Sequence, residues 1–532
     1  MKATTSSLRA VSSLPLAAAF LILGLFNLPP SSPAAPPQPT RTPLLRAVDL
    51  NVGESQQVML ADGSTARVKL LDLQETRDAL RDAVRVARVK VEVNGKTATL
   101  TSANYNLPVM VGGVQVDCPI TKGCNSNSGE DSWGLQKDAR LRLWFGGSTW
   151  IEPGTFVYPL KQKWFASGTQ MANEPCHVDG GEVPANKKIY YHDSLDFGGC
   201  EGMVEVVVAT DGLVVSAAKQ TLPGYEDTPV RERGDVVYVL DDRGWYYRYS
   251  HLCEIDGAMR PGAAVKMGQR VGVLGKEGAS GGWSHLHFGI KGRQPSGKWG
   301  TVEAYAFVWE AYVRQYAPKL IAVARPHHLI WAGDSVTLDG SKSWSVPKRI
   351  RPCQWFMDFF GCVMPGRDIN KIRSYQWTFT DDKTASGPTV TRRYTQPGTY
   401  SEILKVTDST GTVAYDFAVV QVLDKGHPDQ LIPSIQASYS PSLDVKAGEP
   451  VTFKVRTFRT THGEESWNFG DGTAPVTVKS DGCVKALAKD GFAITEHRFA
   501  KPGDYIVRVE RANQRGEKAI AHLWVQVGPA AK

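Results

Sequence analysis

Residues 284–290 read SHLHFGI, with His285 and His287 on either side of Leu286. On an extended strand, alternate side chains share a face. The two imidazoles then project into one space, while Leu286 and Phe288 project the other way, into a core. Just upstream, RVGVLG (270–275) has the β-branched run of another strand, and the glycine-rich GASGGWS (278–284) joins the two. The stretch therefore reads as part of a β-sheet that presents two imidazoles on one face.

Two more histidine clusters precede it. YYHDSLDFGG (190–199) supplies His192 and Asp196, and YYRYSHL (246–252) supplies His251. Positions i and i+4 have the same parity on a strand and share one face of a helix, so His192 and Asp196 can converge in either case. A neutral imidazole and a carboxylate both suit a zinc ion. One histidine of the His-x-His pair would complete three protein ligands. The fourth tetrahedral position then stays open to water, as in catalytic rather than structural zinc sites. Bound zinc lowers the pKa of water from about 15.7 to about 7. His251 and the other member of the pair are candidates to move a proton and to steady an oxyanion. Spacing alone leaves open which member does which.

In order and context these clusters resemble the lysostaphin/LytM-type zinc endopeptidases. The matching elements are HDSLD (192–196), YSHL (249–252) and VKMGQRVGVLGKEGASGGWSHLHF (265–288), with the strand pair VVVATDGLVVSA (206–217) between the first two. The resemblance covers about residues 151–300. It implies one zinc ion held by His192, Asp196 and His287, with His251 and His285 as the catalytic histidines. It further implies that His285 is the general base and that His251 hydrogen-bonds the oxyanion or shares in proton transfer. The substrate it implies is the peptide part of peptidoglycan, in cross-links or stem peptides; glycine-rich proteins are the alternative for a secreted proteinase. A rival of another kind is a catalytically silent wall-binding or activator module on the same fold. The chain departs from the family pattern at Ser194, where glycine is usual, at Trp283-Ser284, where proline or a small residue is usual, and at Cys253, where serine is usual. None of these removes a ligand.

The first residues have the form of an export leader. Lys2 and Arg9 precede the apolar run LPLAAAFLILGLFNL (14–28), followed by SSPAAPP. The run is shorter than the ~20 residues of a membrane span, so the expectation is a cleaved signal peptide over 1–36 and a mature chain with no membrane span. An exported protein of this kind would be periplasmic, at the cell surface or extracellular. The formal net charge is +7, from 61 basic and 54 acidic residues. With no basic patch interleaved with aromatics, this balance argues against a nucleic-acid partner. Eight cysteines follow the leader. Export permits disulfides, and Cys118–Cys124, Cys176–Cys200 and Cys353–Cys362 are plausible local pairs. Cys253 is expected to be buried or disulfide-bonded rather than a metal ligand. His177, in CHVDGG, lies outside the motifs.

The 532 residues suffice for three to five domains. After a linker at 37–44, short alternating segments fill 45–150. Among them are VKVEV and KTATL around Asn94-Gly95, a two-residue hairpin signal. Residues 74–86 are expected to form a short helix. Residues 151–318 hold the metal motifs and end in VEAYAFVWEAYVRQYAP. There Val302, Ala306, Trp309, Val313 and Tyr316 recur at helical spacing before Pro318. Residues 322–424 and 432–528 share the order of a glycine-led strand, a tryptophan strand, a PG turn and a tyrosine strand, each unit suggesting a small sandwich. WNFGDGT (467–473) and the looser SYQWTFTDD (374–382) resemble the central motif of PKD repeats, which implies spacers or binders of polysaccharide or protein. RPCQWFMDFFGC (351–362) is an insertion in the first unit, read as a clipped loop or a contact surface. The expected fold is mostly β: an antiparallel lysostaphin-type peptidase domain, a β-rich N-terminal domain and two C-terminal Ig-like sandwiches.

Overall fold

The computed structural model describes residues 36–126, 131–169, 191–345 and 372–530. The expected leader, Cys176, His177, Cys353, Cys362 and the RPCQWFMDFFGC insertion lie outside the described residues. The fold is almost entirely β, with 47% of residues in strands and 3% in helices, arranged in several antiparallel sheets.

Residues 46–145 build two four-stranded sheets. One runs Arg46–Leu50, Ala139–Phe145, Val114–Thr121, Val109–Val111, and the other Ser55–Met59, Thr65–Arg77, Val84–Val93, Lys96–Ser102. Their inward residues, among them Leu50, Val68, Val91, Val116 and Leu141, form one core. Asn94 and Gly95 both have positive φ, 49° and 74°, as a tight primed turn requires. The helix expected over 74–86 does not form. Thr65–Arg77 continues as a strand, and Asp78 then tightens a turn by accepting the N–H groups of Leu80 and Arg81. An aspartate that binds its own following amides favours a turn over a helix interior.

The next region is centred on an eight-stranded sheet. Its main path runs Gln220–Thr221, Gly212–Ala217, Val237–Leu240, Tyr246–Ser250, His285–Arg293, Trp299–Thr301. Leu195–Gly198 also pairs with His285–Arg293, on the edge not taken by Tyr246–Ser250 near its start. Alternation along His285–Arg293 sends Leu286 and Phe288, both fully buried, into an aromatic-rich core with Tyr158, Phe197 and Tyr249. The helix Tyr305–Tyr316 covers that core with Phe307, Trp309 and Tyr312, and ends where Ala317 turns left-handed just before Pro318.

Two sandwiches follow. In the second, Ser434–Ser440, Val451–Phe458 and Ala493–His497 form one sheet, and Lys518–Val527, Gly503–Ala512 and Glu465–Asn468 lie in the other. A parallel pairing of Thr399 with Ala519 joins the two sandwiches edge to edge. Trp377 and Trp467, the tryptophans of the repeated motif, are buried in the respective cores.

The cysteine pairing expected within Cys118–Cys124 is absent. Both are free thiols, pushed up to about 12 by burial. Cys200 is also a free, buried thiol. Cys253 corrects the expectation as well: it is exposed and free, its thiol 3.4 Å from the Leu274 carbonyl. Close spacing in sequence brings thiols near each other without giving the Cβ geometry that a disulfide needs.

Candidate metal centre

Strand register builds the site. Asp196 on Leu195–Gly198 lies directly opposite His287, and His287 lies opposite Ser250, the residue before His251. His192 sits four residues before Asp196, in the irregular stretch that leads into that strand. The result is one cluster in which His192 Nε2 is 2.9 Å from His287 Nδ1 and 3.1 Å from Asp196 Oδ2. Asp196 Oδ1 is 3.1 Å from His287 Nδ1 and 3.6 Å from His285 Nε2. The rings of His251 and His285 have centroids 4.7 Å apart.

His192, Asp196 and His287 are a group whose ligand atoms all lie within 4.8 Å of one another. Tetrahedral zinc with bonds of about 2.0–2.1 Å needs ligand atoms ~3.4 Å apart. The separations of 2.9–3.1 Å are close to that and demand only slight opening. Among the described residues, Asp196 has no lysine or arginine partner; its ion-pair contacts are imidazoles alone. A half-buried carboxylate facing three ring nitrogens and no lysine or arginine fits a divalent cation. Burial opposes ionisation of Asp196, but the surrounding imidazoles hold its carboxyl well below the usual range. Burial pushes His285 down to about 4 and His287 down to about 3, which keeps both rings neutral with lone pairs to offer.

The two remaining imidazoles are oriented by different partners. His285 Nδ1 donates to the Trp283 carbonyl at 3.1 Å, which leaves Nε2 as the lone-pair nitrogen facing the cluster. His251 Nδ1 donates to the Glu277 carbonyl at 2.6 Å and lies 3.4 Å from Asp235 Oδ2. His251 also has φ of 67°, a strained value for a residue with a Cβ. The Asp235 carboxylate holds it there by accepting the His251 N–H at 3.1 Å. Arg233 binds the same carboxylate from the other side. Burial pushes Asp235 up, yet His251 and Arg233 outweigh it and bring the carboxyl down to about 2.

Residues 190–297 match the model of peptidase family M23, and residues 366–422 and 434–524 match models of the PKD domain. The chain carries a family M23 peptidase domain and two PKD domains. No curated protein matches it. Among solved structures, it is similar to a candidate glycyl-glycine endopeptidase lytM from Ruminococcus gnavus, at 19% identity over 30% of this chain and 60% of that one, with a TM-score of 0.20. It is also similar to Csd3 from Helicobacter pylori, at 16% identity over 44% of this chain and 56% of that one, TM-score 0.20. Tandem fibronectin(III)-like modules of Clostridium thermocellum CbhA match at 10% identity over 40% of this chain and 95% of theirs, TM-score 0.15. The chain thus spans somewhat more than half the length of the first and second of these structures.

The M23 match supports a peptidase hydrolase. The five side chains singled out from sequence all lie in the one cluster of the M23 domain. Sequence reasoning missed Asp235, Glu277 and Trp283, which aim the histidines. Glu277 and Trp283 act through backbone carbonyls, which no side-chain pattern encodes. Asp235 opens the strand segment DVVYVL, and its acidic side chain 16 residues before His251 carried no motif.

Proposed function

We propose that the chain is an exported zinc metalloendopeptidase that cleaves peptide bonds of peptidoglycan, in cross-links or stem peptides. The carrying observation is the convergence of two ring nitrogens and a carboxylate with two further oriented imidazoles beside them. His192, Asp196 and His287 would hold one zinc ion. When bound, zinc polarises a scissile carbonyl and makes water a nucleophile near neutral pH.

The chain's own residues supply the rest. His285, neutral and with its Nδ1 proton committed to Trp283, offers Nε2 to take a proton from the attacking water. His251 would carry a proton on Nε2 and donate to the carbonyl oxygen as negative charge develops there. The Asp235 carboxylate beside Nδ1 fixes the ring's tilt. Afterwards His285 returns its proton to the departing amine.

The M23 match also favours a peptidoglycan or protein substrate, and the PKD domains favour additional binding to wall polysaccharide or protein. Among the described residues no helix is long and apolar enough to cross a membrane. The presence of His192, Asp196, His251, His285 and His287 side by side favours hydrolysis over the catalytically silent alternative.

The test is mass analysis of fragments released from purified sacculi, with and without chelator. Chelator-sensitive release of peptide fragments is expected. His285→Ala should keep its zinc and lose activity by about 10²–10⁴-fold. Undiminished hydrolysis by that variant, or none by the parent protein with zinc bound, refutes the reading.

A further inference from the structure

The second PKD domain is packed against the loop that leads into the catalytic strand. Three of its residues grip three consecutive residues there. Arg456 Nη1 donates to the Gly282 carbonyl at 3.1 Å. Phe458 stacks on Trp283 with centroids 4.2 Å apart and an interplanar angle of 10°. Gln436 takes both backbone groups of Ser284: its Oε1 accepts the N–H at 2.7 Å, and its Nε2 donates to the carbonyl at 2.8 Å. The Ser284 N–H can only donate, so it fixes which end of the amide faces it. Gln436 Nε2 also donates to Thr169 Oγ1 at 2.9 Å.

These contacts come from one face of one sheet. Gln436 lies opposite Arg456, Ser434 opposite Phe458, and Ser438 opposite Lys454. Ser438 forms a bridge with Ser167 of the M23 domain, and Lys454 donates to the Glu201 carbonyl at 2.8 Å. The opposite face, with Ala437, Tyr439, Phe453 and Val455, fills the PKD core. Gln436 is 2% exposed, and Ser284 and Arg456 are fully buried. A sandwich acting as a mere spacer would leave this polar face in water.

The peptide unit between Trp283 and Ser284 is the link to chemistry. Its N–H is held by Gln436, and its carbonyl receives the Nδ1 proton of His285. A peptide unit is planar, so fixing the N–H direction fixes the carbonyl direction. The carbonyl in turn fixes the tautomer and tilt of the imidazole, leaving Nε2 aimed at the cluster. We propose that Gln436 of the second PKD domain is a positioning residue for His285, so that the M23 active site is completed by a separate domain. This rests on the reading of His285 as the base.

The experiment uses the full-length zinc-loaded protein and its hydrolysis of sacculi. Gln436→Met keeps the length of the side chain but removes both hydrogen bonds to Ser284 and the one to Thr169. It should lower kcat by about 10–100-fold, with KM within about twofold and zinc content unchanged; the protein should melt a few degrees lower, because Ser284 loses its partner, yet stay folded at the assay temperature. Hydrogen exchange should rise at the amides around Ser284. Gln436→Glu keeps an acceptor for the Ser284 N–H and, with its carboxyl protonated in this buried site, a donor for the Ser284 carbonyl, and should recover most of the lost turnover. Unchanged kcat in Gln436→Met, a loss matched by lost zinc or by unfolding at the assay temperature, or no recovery in Gln436→Glu each overturns the proposal. A parent protein that hydrolyses nothing when loaded with zinc fails the peptidase reading instead, and this proposal with it.

Discussion

Glu310 offers a test that depends on no substrate. It lies in the helix Tyr305–Tyr316 that covers the core of the M23 domain, and its Oε2 accepts the N–H groups of Trp150 and Ile151, both at 3.1 Å. Burial pushes its carboxyl from 4.5 up to about 7, against the opposing effects of Arg314 and the two amides. The folded protein therefore holds a proton that the unfolded chain gives up at lower pH. The sign follows from linkage: between about pH 4.5 and 7 the folded state binds more protons, so stability falls as pH rises through that window. The full shift corresponds to roughly 3 kcal/mol, and partial solvent contact brings this nearer to roughly 2. Glu310→Gln keeps an oxygen for the two N–H groups and removes the ionisation. At pH 4 the variant and parent should melt together. At pH 8 the variant should be more stable by roughly 2 kcal/mol, or roughly 4–8 °C for a domain of this size. Calorimetry across pH 4–8 on the transition that contains this domain reads the difference. A constant gap at every pH, or a parent that gains on the variant as pH rises, refutes the assignment.

Asp196→Ala should lower bound zinc from about one per chain to well below that, read by elemental analysis after dialysis; full retention would remove Asp196 from the ligand set. Asp235→Ala leaves the N–H of His251 without its acceptor, in a left-handed backbone that costs about 1–3 kcal/mol to maintain. Turnover should fall while zinc content stays, and a variant with unaltered kcat would show that His251 is aimed by Glu277 alone. In the second PKD domain, Glu465 and Arg511 are both fully buried and paired at 2.8 Å. Glu465→Gln should destabilise that domain by about 3–5 kcal/mol, because it strands the guanidinium charge; an unshifted calorimetric transition would contradict this.

The parts of the site that were legible in the sequence share one property: their geometry is local. His285 and His287 share a face because a strand has a period of two. His192 and Asp196 also converge, as their close spacing suggested, although a bend at Ser194 rather than strand parity brings them together. The turn at Asn94-Gly95 formed as expected because positive φ at both positions is a property of those two residues. The failures come from non-local competition. Residues 74–86 contain good helix formers, but the partner strand Val84–Val93 captured Thr65–Arg77, and Asp78 closed a turn on its own amides. Pairing of Cys118 with Cys124 required a mutual orientation that spacing does not carry.

Gln436 shows the limit most clearly. The segment SIQASYS (434–440) alternates polar and apolar residues, the pattern of a strand with one face in the core and one in water. Sequence periodicity distinguishes only the two faces; it cannot say that another domain covers the polar one. In the folded chain every residue of 434–439 is buried. Burial of a polar face is tolerated only where its donors and acceptors find partners. For Gln436 the main partners are the backbone N–H and carbonyl of Ser284, in the loop before His285, which have no side-chain signature of their own. A residue in a repeat that resembles a spacer thus acquires a role through the approach of two surfaces, each of which reads as ordinary by itself. The same logic explains why Asp235 and the Glu277 carbonyl escaped notice while the imidazoles they orient did not: a ligand must have a particular side chain, whereas a residue that aims a ligand needs only a hydrogen-bonding atom in the right place.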